Sequence, residues 1–243
     1  MSRKDTHFLF FSRNINENAI LLDSGELAHI SNVLRFCDGD EIQITNGEGN
    51  VFECKITKMK KDSALCEIIS SKFCQPLPCE ITLAVGLPDK DKFETICETL
   101  APFGVRKIVP LITQNCQKNY LDDRWEKTLE RCERKIVSSI KQSLNPYITK
   151  IESPVKLSDF ASCCELNLLA DFDGKRIDEI IPKDKTPESA CIFVGPPAGF
   201  SPDEITSLSK NSTRFCLGKY RLRTELAVVA AAAAATGQYL QKF

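Results

Sequence analysis

The sequence changes its pattern at Pro76 and Pro78, and this change constrains the fold more than any other feature. Before the prolines, residues 41–45 and 51–56 alternate polar and apolar side chains on either side of a glycine-rich turn, which predicts a β-hairpin. Residues 64–69 predict a further strand. We therefore expect a small β-barrel domain over residues 1–74.

After the prolines, apolar runs typical of buried strands alternate with segments of helical spacing. The predicted strands are residues 81–86, 107–112, 166–170, 191–194 and 214–218. Apolar spacing predicts helices through Phe93–Leu100 and Trp125–Ile140, the second ended by Pro146, and capping residues predict two more beginning at Ser201 and Thr224. Such alternation predicts an α/β fold with a mostly parallel sheet over residues 79–243.

Charge and composition exclude several classes of protein. The 243 residues carry a net charge of −1, and 42% of them are hydrophobic, as in an ordinary globular chain. Nucleic acid would have to bind to local basic patches, of which the candidates are residues 58–61, 131–135 and 219–223. The longest apolar run, residues 226–235, is too short to span a membrane, and the N-terminal apolar run is too short for a signal peptide. A cytoplasmic protein is expected.

Twelve cysteines stand beside only two histidines, and no Cys-x-x-Cys pair occurs. Most of the cysteines sit within apolar patterns, so we expect small buried thiols rather than a disulfide framework or a metal site. The cysteines expected to be buried are Cys54, Cys66, Cys97, Cys132, Cys191 and Cys216.

Two segments place turn residues after buried strands, where α/β proteins bind ligands. Residues 194–201 read Val-Gly-Pro-Pro-Ala-Gly-Phe-Ser, and residues 217–227 place Arg221 and Arg223 just before a helix. Arginines beside a helix N-terminus favour an anion or an electron-rich group. The spacing alone also allows a plain strand-to-helix connection and a surface loop whose Glu225 offsets the helix dipole.

At these segments the chain resembles a known family, the ribosomal small-subunit uridine-N3 methyltransferases (RsmE family) of the SPOUT superfamily. The resemblance covers nearly the whole chain. Its motifs are His29-x-x-x-Val33-Leu34-Arg35 with Gly39-Asp40, Phe103-Gly104-Val105, Gln142-Ser143, Gly195-Pro196…Gly199-Phe200-Ser201, and Leu217-Gly218 with Arg221-Leu222-Arg223-Thr224-Glu225.

The resemblance implies a PUA-like barrel that binds RNA, a SPOUT domain tied in a trefoil knot, and a homodimer. It also implies S-adenosyl-L-methionine as cofactor and assembled small-subunit (16S) ribosomal RNA as substrate, with no metal. The cofactor-binding positions carried over are Leu169, Gly195, Pro196, Gly199, Leu217, Gly218 and Leu222. The RNA-binding positions are His29, Arg35 and Lys219.

Loss of the N3 proton leaves negative charge on uracil, which a nearby cation stabilises. Arg223 is the first choice for that cation and Arg221 the second, while Glu225 would orient an arginine or the base. Several polar positions differ from the family pattern, notably Pro197, Asn115 and Leu226. These departures leave open a catalytically degenerate RNA- or cofactor-binding homologue. The near-neutral charge leaves open an α/β protein that binds a small metabolite without any role on RNA.

Overall fold

The computed structural model describes residues 8–27, 36–116, 124–180 and 186–240, with side chains through residue 237. The chain forms two compact units, Met1–Pro76 with Val137–Ile148, and Leu77–Ile136 with Thr149–Phe243. The sequence pattern therefore changes where the first unit passes into the second. Val137–Ile148 belong to the first unit, although a single division at the prolines places them in the second. The separate roles of domains 1–74 and 79–243 stay a prediction.

The first unit contains a five-stranded sheet. Its elements are β1 (Leu9–Phe11), β2 (Ala19–Leu22), α1 (Ser24–Leu27), β3 (Glu41–Thr45), β4 (Asn50–Met59) and β5 (Ala64–Phe73). The predicted hairpin is confirmed, because β3 pairs with β4 in antiparallel register. The strand order is β1-β3-β4-β5-β2, and Leu21 N donates a hydrogen bond to Asn14 O in the segment after β1. This bond joins the two edges of the sheet.

The core of this unit follows from the alternation that the sequence shows. Ile44, Cys54, Ile56 and Cys66 are fully buried, while their neighbours along the strands are mostly exposed or half-buried. Residues 137–148 add polar ties to the same unit. The Tyr147 hydroxyl donates to Cys74 O at 2.6 Å. These ties depend on contacts between distant parts of the chain, so the strand pattern alone did not reveal them.

The second unit is an α/β unit around a parallel sheet, as predicted. Every strand pair in this sheet is parallel, and the order is β12-β10-β11-β6-β7-β8, with β9 also pairing β7. The strands are β6 (Glu80–Gly86), β7 (Lys107–Ile112), β8 (Lys150–Ile151), β9 (Val155–Lys156), β10 (Leu166–Lys175), β11 (Ser189–Val194) and β12 (Thr213–Phe215). The last strand ends three residues earlier than its predicted end at residue 218.

The helices are α2 (Lys90–Leu100), α3 (Trp125–Ser143), α4 (Ile177–Ile180), α5 (Pro202–Leu208) and α6 (Thr224–Leu240), with short 3₁₀ turns at Ala101–Phe103 and Leu157–Asp159. The predicted apolar stripe of α3 buries Cys132, Ile136 and Ile140. Just after α3, Leu144 takes a left-handed conformation with φ 57°.

Ser201 caps α5 as predicted, in a reciprocal capping box with Glu204. The prediction that Thr224 caps α6 needs correction. Thr224 is the first helical residue, and Arg223 O accepts the first helical hydrogen bond from Ala227 N at 2.8 Å. The Thr224 hydroxyl instead donates to Gly195 O, a contact that local sequence does not reveal.

All twelve cysteines are free thiols. Five of the six expected to be buried are buried, whereas Cys216 is only half-buried because it follows the short edge strand β12. Among the described residues, no three or more His, Cys, Asp and Glu side chains cluster as a metal site would require. Within the described ranges, no helix has the length and apolar character needed to cross a bilayer.

Candidate functional site

A cleft of about 220 Å³ opens in the second unit, beyond the carboxyl end of β11. Three segments line it: residues 169–172 of β10, the loop after β11, and the loop after β12 together with the first turn of α6. Ligands of parallel α/β sheets bind at this edge of the sheet. The cleft is therefore the first candidate for a ligand site.

The structure brings the seven predicted cofactor-binding positions together around this one cleft, although they come from three separate parts of the chain. They are Leu169, Gly195, Pro196, Gly199, Leu217, Gly218 and Leu222. Apolar walls are added by Phe200, which was named only as part of a family motif, and by Ile205, which the sequence did not single out.

Two of the glycines keep the cleft open. Gly199 has φ +79° and Gly218 has φ +149°, and a Cβ at either position would meet no atom within 4 Å. Their backbone is therefore accessible to a ligand. Gly195 serves packing instead, since a Cβ there would lie 3.1 Å from Phe200 N.

Gly86, at the end of β6, packs against the loop after β11, which lines the cleft. A Cβ at this position would overlap the ring and backbone nitrogen of Pro196. Only glycine lets β6 approach the loop after β11 so closely. Gly86 was predicted to lie in a strand, but this role was missed, because nothing in the strand pattern shows which loop lies beside it.

Two hydrogen bonds tie the loop after β12 and α6 to the loop after β11. Arg221 Nη2 donates to Pro197 O at 3.1 Å, and Thr224 Oγ1 donates to Gly195 O at 3.3 Å. Pro197 departs from the family pattern, but the contact is made by its carbonyl oxygen, which any residue supplies. This departure therefore leaves the tie intact.

The segment after β7 fixes the other side of the same loop. Asn115 Nδ2 donates to Gly199 O at 3.1 Å, and Gln114 N donates to Glu204 Oε1 at 2.8 Å. The second oxygen of Glu204 accepts from Ser201 N in the capping box. Asn115, another departure from the family pattern, thus helps to hold the shape of the cleft.

The three predicted catalytic residues do not occupy equivalent places. Arg221 lines the cleft, whereas Arg223 and Glu225 do not, although the residues on both sides of Arg223, Leu222 and Thr224, do line it. Arg223 is exposed and Glu225 half-buried. The pKa of Lys92, in the first turn of α2, is raised mainly by its hydrogen bond to Asp89. The charge of Glu225 raises this pKa a little further, and the charge of Arg223 lowers it. No pattern in the sequence pointed to Lys92.

Aromatic side chains at the cleft were also missed. Phe172 and Tyr220 line it and are 58% and 77% exposed. The predicted RNA-binding residue Lys219 is exposed, and its Nζ lies 6.0 Å from the centre of the Tyr220 ring. The other two predicted RNA-binding residues, His29 and Arg35, lie outside the described residues.

A parallel α/β sheet with open glycine backbone and an arginine at its carboxyl edge defines an α/β protein whose cleft can hold a small ligand with an anionic or electron-rich group. Comparison with protein families gives a more specific assignment than the fold. The model of an RNA methyltransferase domain matches residues 75–236, and that of an RNA methyltransferase PUA domain matches residues 22–69. The chain belongs to this RNA methyltransferase family.

Individual relatives agree with this assignment. The ribosomal RNA small subunit methyltransferase E of Aquifex aeolicus is 30% identical over 227 residues, which cover 91% of this chain and 95% of the relative. The fold matches a putative Legionella pneumophila methyltransferase with bound SAM, with a TM-score of 0.85 and 24% identity over 95% of this chain and 97% of that one. It also matches ribosomal RNA small subunit methyltransferase E of Neisseria gonorrhoeae bound to S-adenosyl methionine, with a TM-score of 0.81 and 23% identity over 96% and 98% of the two chains.

Proposed function

We propose that this protein transfers a methyl group from S-adenosyl-L-methionine to N3 of a uridine in small-subunit (16S) ribosomal RNA. The observation that carries the proposal is the convergence of the seven predicted cofactor positions on one cleft. Membership of the RNA methyltransferase family and the similarity to the Aquifex aeolicus enzyme support it.

The cleft fits the proposed cofactor. Leu169, Leu217 and Leu222 offer apolar surface, and Gly199 and Gly218 leave backbone open beside it. An adenosine moiety needs such apolar faces together with backbone hydrogen-bonding groups. When bound, S-adenosyl-L-methionine supplies an electrophilic methyl group on its sulfonium. The residues of the chain have to hold the uracil in line with that methyl group.

We assign the cation that opposes charge on uracil to Arg223. Its exposure, together with its place between two cleft-lining residues, lets its guanidinium face a base presented from outside the cleft. Arg221 has a different task, because its bond to Pro197 O holds two walls of the cleft together. Glu225, two residues after Arg223, would orient that arginine or the base.

The proposal extends to the fold and the RNA partner. The loop after β11 forms hydrogen bonds with the loop after β7 and with the segment after β12, and these three are the segments that a SPOUT-type trefoil knot would involve. The PUA-like first unit would hold the RNA through His29 and Arg35, and Lys219 of the second unit would add a further RNA contact. The substrate would be the assembled small subunit, in the cytoplasm.

We also propose a homodimer that uses α6. Leu226 on this helix is 54% exposed, and Val229, Ala230 and Ala233 follow it at helical spacing, all at least partly exposed. Side chains three and four residues apart share one face of a helix. Small apolar residues on such a face allow a second helix to approach closely, and a two-fold axis would pair α6 with its own copy.

Calorimetry and a transfer assay together test the proposed function. The protein should bind S-adenosyl-L-methionine and move a labelled methyl group onto small subunits lacking the modification, but not onto large subunits. Binding without transfer would establish the catalytically degenerate reading, which rests on Asn115, Pro197 and Leu226. Absence of cofactor binding by the folded protein would refute the assignment of the cleft.

A further inference from the structure

The entrance of the cleft carries two exposed aromatic side chains to which the steps proposed above give no task. Tyr220 and Phe172 both line the cleft, and they are the two most exposed large apolar side chains of the described residues. Leu222, which is 36% exposed, lines it as well. Single apolar side chains are common on protein surfaces, but several gathered at one cleft mark a binding site. Phe172 and Tyr220 are called the aromatic rim below.

The backbone that carries Phe172 is held in place on both sides. Asp173 N donates a hydrogen bond to Asp171 Oδ1 at 3.3 Å, and this bond spans Phe172. The other carboxylate oxygen of Asp171 forms an ion pair with Arg214 of β12, whose Nε lies 3.5 Å from Oδ2. The exposure of Phe172 therefore does not come from a loose chain. The fold presents this ring to the solvent at a fixed position of the cleft wall.

The ring of Tyr220 is presented in a similar way from the opposite segment. The next residue, Arg221, donates its hydrogen bond to Pro197 O at 3.1 Å and so ties the chain beside Tyr220 to the loop after β11. Lys219 Nζ lies 6.0 Å from the centre of the Tyr220 ring, at the outer limit of a cation–π contact. The side chain stays 77% exposed despite this contact, so most of its ring surface is accessible to a ligand.

The charges beside the rim indicate what kind of ligand fits it. Three cations stand within three residues of Tyr220: Lys219, Arg221 and Arg223. Phe172 instead lies between two carboxylates. A polyanionic strand would therefore pass on the Tyr220 side, where cations meet its phosphates. Unpaired RNA bases stack on aromatic rings whatever their sequence, whereas a second copy docked rim to rim would bring the same cations together.

We propose that the aromatic rim stacks on unpaired bases of the RNA substrate at the entrance of the cleft and thereby positions the uracil that accepts the methyl group. The identity of that base rests on the proposed function, but the stacking itself requires no methyl transfer. A base held against a ring has already lost rotational freedom before the reaction begins. The rim thus sets the orientation of the base, and Arg223 is left to oppose its charge.

Fluorescence anisotropy separates stacking from attraction to phosphate. The probe is a labelled oligouridylate of about ten nucleotides, and an abasic ribose-phosphate strand of the same length is its control. The wild-type protein should bind the oligouridylate at least about fivefold more tightly than the abasic strand. Tyr220→Leu and Phe172→Leu should each weaken binding of the oligouridylate roughly fivefold or more and leave binding of the abasic strand unchanged.

Two variants that keep the ring are the matched controls. Tyr220→Phe and Phe172→Tyr should bind the oligouridylate as the wild type does, because each retains an aromatic face. Leucine keeps the apolar character of the position and removes only that face. Circular dichroism checks that every variant is folded, and the comparison of the two strands by the wild type needs no variant. Equal affinity of the wild type for both strands, or leucine variants that bind like the wild type, would overturn the proposal.

Transfer assays on small subunits, at saturating S-adenosyl-L-methionine, keep this proposal apart from the proposed function. The leucine variants should lower kcat/KM for small subunits roughly fivefold or more, with recovery in the variants that keep the ring. A wild type that prefers the oligouridylate but transfers no methyl group would support the rim and refute the methyl transfer. An active wild type whose leucine variants are equally active would refute the rim alone. Loss of self-association in the leucine variants, seen by sedimentation velocity without loss of oligouridylate binding, would make the rim a contact between copies and overturn the proposal.

Discussion

Arg221 Nη2 donates a hydrogen bond to Pro197 O at 3.1 Å, and this bond joins two loops that are 24 residues apart in the chain. The loops form facing walls of the cleft. A guanidinium that donates to a carbonyl in a fixed loop limits how far the walls can separate. The bond therefore links the width of the cleft to the identity of residue 221.

Arg221→Met should weaken binding of S-adenosyl-L-methionine roughly fivefold, since a typical hydrogen bond contributes about 1 kcal/mol and solvent screening at this exposed position keeps the contribution of the guanidinium charge small. Calorimetry measures the affinity. Lys210→Met removes an exposed cation outside the cleft and should leave the affinity unchanged. Equal effects from the two substitutions would show that net charge, and not the tie to Pro197, sets the affinity.

Gly199→Val and Gly218→Val should each abolish cofactor binding, because a side chain at either position would occupy open space lining the cleft. Valine at positive φ also strains the backbone. Gly39→Val matches that strain, since Gly39 has φ +96° with no atom near its Cβ position, but it lies in the first unit. Calorimetry should show binding by the Gly39 variant alone. Normal binding by both cleft variants would place the cofactor elsewhere.

Gly86→Ala should destabilise the protein by about 3 kcal/mol, because the added methyl group cannot avoid the Pro196 backbone. Thermal unfolding followed by circular dichroism measures the change. Gly25→Ala is the control, since its Cβ would meet only the Asp23 side chain, at 3.2 Å. Equal melting temperatures for the wild type and the Gly86 variant would contradict the close approach of β6 to this loop.

Arg223→Ala should slow methyl transfer by a factor on the order of 10²–10³, the usual effect of removing a preorganised donor. Cofactor affinity should hardly change, because Arg223 does not line the cleft. Arg223→Lys should also be impaired, since the compact ammonium group of lysine does not reproduce the planar set of hydrogen-bond donors on a guanidinium. Single-turnover assays measure the rate of the methyl-transfer step. If the Arg223→Ala variant transferred methyl groups at the wild-type rate, another residue would have the catalytic role, and Arg221 would be the next candidate.

Leu226→Glu should weaken the proposed homodimer at least about tenfold, because a carboxylate would replace an exposed apolar side chain on α6. Sedimentation velocity over a concentration series measures the association. Phe73→Glu, which alters a 53% exposed side chain of the first unit, should have no effect. A wild-type protein that stays monomeric at micromolar concentration would refute the dimer itself.

The periodic pattern of apolar side chains within single segments was enough to predict most of the strands and helices. Alternation in residues 41–56 predicted the hairpin, and spacing along α3 predicted which side chains are buried, because both reflect the period of one element. The order of the parallel strands could not be read this way. It depends on which apolar faces pack together, and no strand of this sheet carries a signal naming its neighbour.

The site was predicted unevenly for the same reason. Its glycines stood out as turn residues after strands, and the family resemblance identified Leu169 and Leu222. The contacts of Thr224 and Asn115 with backbone carbonyls of the loop after β11 arise only when distant loops meet.

Nucleoside mass spectrometry of small-subunit ribosomal RNA tests the central claim most directly. Small subunits from a strain lacking this gene are incubated with the purified protein and S-adenosyl-L-methionine, then digested to nucleosides. The proposed function predicts that 3-methyluridine appears with the wild-type protein and is absent with the Gly218→Val variant. A wild-type protein that binds the cofactor yet yields no 3-methyluridine on small subunits would contradict it.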